Sequence, residues 1–396
     1  MMRARIRLVT GLALAALGGV AWLAGGASLW GPLLSVALPV ATAISVSRKW
    51  AFLSALIYYL IGSVSITGAM AGYYGGHWGW SLLAWIGASV ALALPWTFAG
   101  TATGRLFALM VTAIPPLGVI GWLSPLNAAG VMFPTTGFGG LALAMAVLVW
   151  CDVIAPLAGL VLGIGIGIYS IVFHPAQWAL PSPSGWAGIQ TSIAAAHGDL
   201  VADLANKQAL IGAARSQAKD AAVAVLPEAV LDDWLPGTRQ QFSLAVPPDQ
   251  TWLIGAQMYE AQGSDLVPAP KGKPFNAVVM VQPDHALSFP LTAAAGLLLG
   301  GNWRPWNAQG LQPAGAQHVF ELDDQRVWAA LCIEQLQPWT WMLAMFEQPT
   351  LVLAMNNAWW APARSFAPRI QVASTRAWAR LMNVPVIWAS NRGFRS

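Results

Sequence analysis

The order of apolar and polar positions divides the chain near residue 180. Before that point long apolar runs follow one another, at residues 8–23, 30–46, 51–71, 80–96 and 106–123, and a longer one covers 139–173. The first five approach the roughly 20 residues that cross about 30 Å of hydrocarbon at about 1.5 Å per helical residue. The run at 139–173 is too long for one ordinary span. Asp152 and Pro156 fall near its middle, where a turn or kink fits. It reads as two short spans, which makes residues 1–175 a transmembrane domain of about seven spans. Residues 125–138 (PLNAAGVMFPTTGF) are apolar but rich in Pro, Gly and Thr. They read as a re-entrant loop rather than a through-going helix.

Beyond residue 183 the pattern changes to short apolar stretches separated by polar ones. Strands are predicted at 185–191, 221–226, 252–257 and 275–281. A turn at 282–285 and a return strand follow, then strands at 318–321, 326–333, 351–355 and 385–389. Residues 194–220 and 371–382 have helical spacing of their apolar positions. Strands alternating with helices make residues 183–396 an α/β layered domain.

Composition and charge sharpen the division. The 396 residues are 57% hydrophobic and 9% charged, against about 25% charged in a soluble domain. Between Leu8 and Phe173 the charged residues are Arg48, Lys49, Arg105 and Asp152 alone, whereas acids and bases reach ordinary density after Gly198. Arg3, Arg5 and Arg7 precede the first run, Arg48 and Lys49 come two runs later and Arg105 two later again. The loops at 72–79 and 124–137 carry no Lys or Arg. That alternation keeps the N-terminus in the cytoplasm and predicts a multi-pass protein of the inner (cytoplasmic) membrane. With seven spans the second domain emerges on the periplasmic side, and with six it is cytoplasmic. The N-terminus is also shaped like a signal peptide, but no small-residue cleavage site leads to a polar mature start.

The net charge of +4 is small and forms no basic stripe beyond the N-terminus, which argues against direct nucleic-acid binding. His77, His174, His197, His285 and His318 have no metal-ligand spacing, so no metal and no cofactor is expected. Cys151 lies in an apolar run and Cys332 in the polar half. A disulfide between them is not expected, and Cys332 stands as a lone thiol.

Two residues carry candidate chemistry. Glu228 directly follows the apolar stretch 221–226, at a strand's carboxyl end, the usual site edge of an α/β sheet. Cys332 lies near the end of another apolar strand, two residues before Glu334. A carboxylate that takes the thiol proton, with a cation or oxyanion hole beside it, would make a nucleophile. A helix-capping Glu and a core Cys are the bland alternatives.

The segments together resemble the nitrilase (carbon–nitrogen hydrolase) superfamily, and within it the membrane branch of apolipoprotein N-acyltransferase. Val225-Leu226-Pro227-Glu228-Ala229 is similar to the family's strand–Pro–Glu motif. Leu331-Cys332-Ile333-Glu334 resembles its nucleophile strand, and Met355-Asn356-Asn357-Ala358-Trp359-Trp360 the segment after the next strand. Gln371 to Arg376, Val384-Pro385-Val386 and Ala389-Ser390-Asn391-Arg392-Gly393 resemble the family's closing helix and strand. A narrower likeness, carried by residues 125–138 and Trp303-Arg304-Pro305-Trp306, is to the TraB-type conjugal transfer proteins of transmissible plasmids.

The resemblance implies an α-β-β-α nitrilase-like sandwich in which Glu228 is general base and then acid, Cys332 forms a thioester and a Lys stabilises the oxyanion. It further implies a membrane lipid partner, with an acyl-phospholipid as donor and a protein or small amine as acceptor. Two departures stand out. The family's lysine is missing from the stretch after residues 275–281, where Ala286-Leu287-Ser288-Phe289-Pro290-Leu291 stands instead. An antiparallel hairpin would bring Lys273 beside the vacant position, with Arg304 a second candidate of different shape. The other reading of that gap is a catalytically degenerate domain used for binding or assembly. The chain also stops at Ser396, where the family continues with further strands and a final span, which implies a sandwich truncated at its closing edge.

Overall fold

The computed structural model describes residues 2–73, 76–150, 156–173, 180–194, 199–231, 234–258, 274–283, 290–293, 318–362 and 365–392. They form two compact units. The first combines residues 1–180 with 335–345 and 360–384, and the second combines 181–334, 346–359 and 385–396.

The first unit is helical. Its elements are α1 (Met2–Ala24), α2 (Trp30–Leu34), α3 (Ala37–Ala43), α4 (Arg48–Gly62), α5 (Ile66–Tyr73), α6 (Trp78–Ala93), α7 (Ala102–Ala113), α8 (Ala128–Met132), α9 (Gly137–Val149) and α10 (Pro156–Phe173). Among the described residues, Ala4–Ala24 and Trp78–Phe98 are long and apolar enough to cross a membrane, and up to four spans result if each of two bent pairs counts as one. Those pairs are Arg48–Gly62 with Ile66–Gly72, bent by 55°, and Pro125–Met132 with Gly137–Val149, bent by 120°. Seven spans were expected from the apolar runs. Among the described residues several of those runs are broken into shorter helices. Pro32 and Pro39, the turn at 63–65 and the Pro115-Pro116 pair leave shorter helices, because proline removes a backbone donor and a kink follows. The run at 139–173 does become two helices, α9 and α10, while Asp152 and Cys151 lie outside the described residues.

Residues 125–132 are buried throughout, and their sharp bend into α9 matches a re-entrant hairpin or a broken span. Two helices from the second half of the sequence are built into this same unit: most of α13 (Pro338–Glu347) and α14 (Ala367–Met382). Gly130 of α8 meets the Ala377 carbonyl so closely that a Cβ there would stand 1.7 Å from its oxygen. Polar groups seal the contact. Ser374 Oγ donates to Asn127 Oδ1 at 2.9 Å, and the Thr135 backbone N–H donates to the Arg380 carbonyl at 2.8 Å. Arg380 Nη2 donates to Ser170 O and Oγ at 3.0 and 2.9 Å. Trp341 and Trp378 stack with centroids 6.2 Å apart.

The second unit contains two five-stranded mixed sheets. Its strands are β1 (Trp186–Gly188), β2 (Gln190–Thr191), β3 (Val223–Val225), β4 (Thr251–Met258), β5 (Phe275–Val281), β6 (Pro290–Ala293), β7 (Phe320–Leu322), β8 (Gln325–Leu331), β9 (Leu351–Asn357) and β10 (Val386–Asn391). One sheet has the order β1-β3-β4-β5-β6 and the other β2-β10-β9-β8-β7. Alternate residues decide the packing, since neighbours along a strand point to opposite faces. Val223, Val225, Leu253 and Val278 of the first sheet share one apolar core with Val327, Ala329, Leu331, Leu353, Met355 and Ile387 of the second. The sheets therefore stack face to face. The outer face of the first sheet, including Ala224, Trp252, Ile254 and Val279, packs against Leu210, Ile211 and Ala214 of α11 (Leu200–Gln217) and Phe242 of α12 (Pro236–Ser243). Both faces of β9 and of β8 from Val327 onward are buried, as the apolar runs VWAAL and LVLAM require.

Candidate functional site

The two sequence-predicted site residues meet at one end of the sandwich. β3, β8, β9 and β10 run in parallel ladders and finish at Val225, Leu331, Asn357 and Asn391. Their carboxyl ends carry Glu228, Cys332, Asn357 and Asn391. β5 runs antiparallel to β4 with Asn276 opposite Gln257, so the start of β5 lies at the same edge. This is where an α/β architecture leaves backbone groups and side chains free for chemistry.

Glu228 is 6% exposed. Its turn sits directly over Gly255 of β4, where a Cβ would come within 2.4 Å of Glu228 Cα. The next residue, Ala229, is held at φ 42, a left-handed conformation unfavourable for a residue with a Cβ. A chain of amides fixes it. Asn357 Nδ2 donates to the Ala229 carbonyl at 2.9 Å, and Asn391 Nδ2 donates to Asn357 Oδ1 at 2.9 Å. Asn391 Oδ1 in turn accepts from Thr191 Oγ1 at 2.9 Å and from the Ile193 backbone N–H at 2.7 Å.

Cys332 does not end the strand as predicted. It begins a 3-10 turn, Cys332–Leu336, with φ 46. Glu334 Oε2 accepts the Leu331 backbone N–H at 2.9 Å and ties that turn back to β8. Cys332 keeps partial exposure, and its thiol is a hydrogen-bonding neighbour of the Glu228 carboxyl. Asn276 Nδ2 donates to Glu228 Oε1 at 2.5 Å. The other carboxyl oxygen, Oε2, is buried with no aligned donor among the described residues, and the same holds for Asn276 Oδ1.

Electrostatics follow from this burial. Desolvation raises the Glu228 carboxyl to about 7, opposed by the Asn276, Cys332 and Asn357 hydrogen bonds. Desolvation, then the charge of Glu228, pushes the Cys332 thiol well above its ordinary value. Among the described residues no Lys or Arg contributes to either shift. A carboxyl poised near neutrality beside a protonated thiol can accept that proton as the sulfur forms a bond. Lys273 and Arg304, the candidate cations, lie outside the described residues. No group of three or more His, Cys, Asp or Glu suited to a metal occurs among the described residues.

Sequence reasoning missed Asn276, the roles of Asn357 and Asn391, and Gly255. Two signals were present. Asn276 is the polar residue in the apolar stretch FNAVVMV, and a buried amide in a strand must find a partner. Gly255 interrupts TWLIGAQM, and an isolated strand glycine marks close backbone approach.

The chain thus combines a helical unit with helices able to cross a membrane and an α/β unit with a buried carboxyl beside a partly exposed thiol. No family model matches it. It is similar along almost its whole length to the conjugal transfer protein TraB of Agrobacterium fabrum (strain C58 / ATCC 33970), at 28% identity over 98% of this chain and 93% of that protein. It is similar also to a protein of Sinorhizobium fredii (strain NBRC 101917 / NGR234) named "Probable conjugal transfer protein TraB", at 27% identity over 97% of this chain and 98% of the other.

Proposed function

We propose that this protein is a membrane-bound, nitrilase-like amidase or N-acyltransferase that works through a Cys332 thioester on an acyl-lipid or amide substrate in conjugal transfer. The observation that carries the reading is the shared buried site of Glu228 and Cys332, contributed by different sheets. The transfer setting rests on the names of the two relatives. In the proposed reaction Cys332 Sγ attacks the acyl carbon while its proton passes to Glu228. The leaving group departs with that proton; an amine or water then attacks the thioester carbon as Glu228 accepts its proton, the carbon–sulfur bond breaks, and Glu228 returns the proton to the Cys332 thiolate. Lys273 is the proposed oxyanion partner. The apolar helices would deliver a lipid substrate from the inner membrane to a periplasmic domain.

Mass spectrometry of purified protein incubated with acyl-phospholipid vesicles tests this. A thioester on Cys332 is expected, absent in Cys332→Ala and in Glu228→Gln. Lys273→Met should slow its formation by roughly 100-fold or more.

A second reading has its own support, because among the described residues no cation offsets the raised thiol. On that reading the domain is a catalytically degenerate conjugation factor used for binding or assembly. It predicts that Cys332→Ala leaves plasmid transfer unchanged, whereas the enzyme reading predicts loss.

A further inference from the structure

Three long polar side chains follow Cys332 and are buried: Glu334, Gln335 and Gln337 are 2%, 0% and 2% exposed. Such side chains are mostly exposed in proteins and lose rotamer freedom when fixed. Here each is held by a hydrogen bond. Glu334 closes the turn onto β8 through the Leu331 backbone N–H. The two glutamines reach elsewhere. Thr375 Oγ1 of α14 donates to Gln335 Oε1 at 3.1 Å, and Trp341 Nε1 of α13 donates to the Gln335 carbonyl at 3.2 Å. Gln337 Nε2 donates at 2.6 Å to the carbonyl of Val119, in the 3-10 turn Leu117–Ile120. Thr375, Trp341 and Val119 all belong to the helical unit. The single turn Cys332–Leu336 therefore starts in the α/β unit and ends in the helical one. Its first residue holds φ 46, a backbone conformation that persists only where the surroundings fix it.

We propose that Gln335 and Gln337 are positioning residues for Cys332: they fasten the far end of its turn to α14 and to Leu117–Ile120, and so keep the thiol beside the Glu228 carboxyl. The proposal rests on the reading of Cys332 as the reacting group and Glu228 as its base. It makes the reactivity of the thiol depend on the helical unit, through side chains that touch neither reacting group. Thr375 is the remote end of that linkage.

The test uses two neighbouring hydroxyls of α14. Thr375 and Ser374 are 0% and 1% exposed, and each donates one side-chain hydrogen bond, Thr375 to Gln335 and Ser374 to Asn127. Thr375→Val and Ser374→Ala each remove one buried bond, but only the first lies on the linkage to Cys332. Full-length protein in detergent is alkylated with iodoacetamide at pH 7 and pH 9, and the Cys332 adduct is quantified by peptide mass spectrometry. Sγ bonds to the methylene carbon, the carbon–iodine bond breaks, iodide leaves and the thiol proton passes to Glu228. The ratio of the two rates is read, so a general change in access to the thiol cancels. In Thr375→Val and in Gln337→Met the inflection should move from about 7 towards the ordinary thiol value of about 8.5, which lowers the pH 7 to pH 9 ratio roughly tenfold. Thr375→Ser, which keeps the donor, and Ser374→Ala should both retain the wild-type ratio. An unchanged ratio in either Thr375→Val or Gln337→Met overturns the proposal. So does an equal fall in Ser374→Ala, which would mark a general loosening of α14. Both results leave the Cys332–Glu228 reading intact where Glu228→Gln still alters the ratio. A ratio that Glu228→Gln leaves at the wild-type value overturns both.

Discussion

Two regions of this protein bury polar side chains, and they differ in what those side chains are: largely neutral amides and hydroxyls in the helical unit, a carboxyl beside a thiol at the end of the sandwich. In the helical unit Asn127 both accepts from Ser374 Oγ and donates to the Ser124 carbonyl, and Gln335 accepts from Thr375 while Gln337 donates to the Val119 carbonyl. These contacts tie α14 and the segments just before α8 and α13 to their neighbours, while Ser65 Oγ, Ser89 Oγ, Trp339 Nε1 and Trp378 Nε1 of the same unit are buried without a partner among the described residues. At the end of the sandwich, Glu228 and Asn276 keep one buried acceptor each without a partner among the described residues. The backbone is left-handed at Ala229 and Cys332 there, as it is at Leu123 and Thr135 in the helical unit. What sets the end of the sandwich apart is a buried carboxyl whose titration is displaced to about 7 beside a thiol.

The contrast can be broken at either end. The largest effect is expected from Gly130→Leu in the helical joint, where even a Cβ collides with the Ala377 carbonyl. A loss of about 3 kcal/mol or more is expected in thermal or denaturant unfolding of the detergent-solubilised protein. Removing the site's charge should act in the opposite direction. The Glu228 carboxyl is raised from an ordinary 4.5 to about 7. The folded state therefore binds more protons than the unfolded state between these values, and stability falls as pH rises through that window. Glu228→Gln should then be stabilising by up to roughly 3 kcal/mol above pH 7, with the gain disappearing below about pH 4.5. A pH-independent effect would show that the carboxyl is not held as described.

Ser374→Ala, which strips the donor from Asn127 Oδ1, should destabilise by about 1–2 kcal/mol at every pH. The smallest change is Ala229→Gly. Relief of the left-handed backbone should stabilise by about 1 kcal/mol, while Cys332 labelling slows as the Glu228 turn loosens. If Ala229→Gly is destabilising, the strain at that turn has been misjudged.

Much of the sandwich was legible in the sequence because its strands are apolar and bounded by polar turns. The stretches at 252–257 and 351–355 became β4 and β9, and 275–281 coincides with β5. Glu228 and Cys332 were legible as strand-end residues, but spacing along the chain says nothing about which strands end at the same edge. Asn276 reaches the site only because β5 runs antiparallel to β4, a fact of register. The short α13, Pro338–Glu347, was missed because its apolar composition (PWTWMLAMFE) shows little helical alternation. α14 was read correctly as a helix. Its place in the helical unit depends on Gly130 and Asn127, more than two hundred residues earlier, and no local pattern reports that. The apolar runs in the first half were visible, but residues 63–65 and the proline pair at 115 and 116 break them into shorter, bent helices.

The account rests on Glu228 governing the reactivity of Cys332, and the pH dependence of Cys332 alkylation tests this most directly. Iodoacetamide labelling of the full-length protein is followed by mass spectrometry from pH 5 to 9, in wild type and in Glu228→Gln. Labelling of wild type should rise through an inflection near the Glu228 value of about 7. In Glu228→Gln that inflection should vanish, and the rate at pH 7.5 should fall roughly a hundredfold. Identical profiles for the two proteins would contradict it.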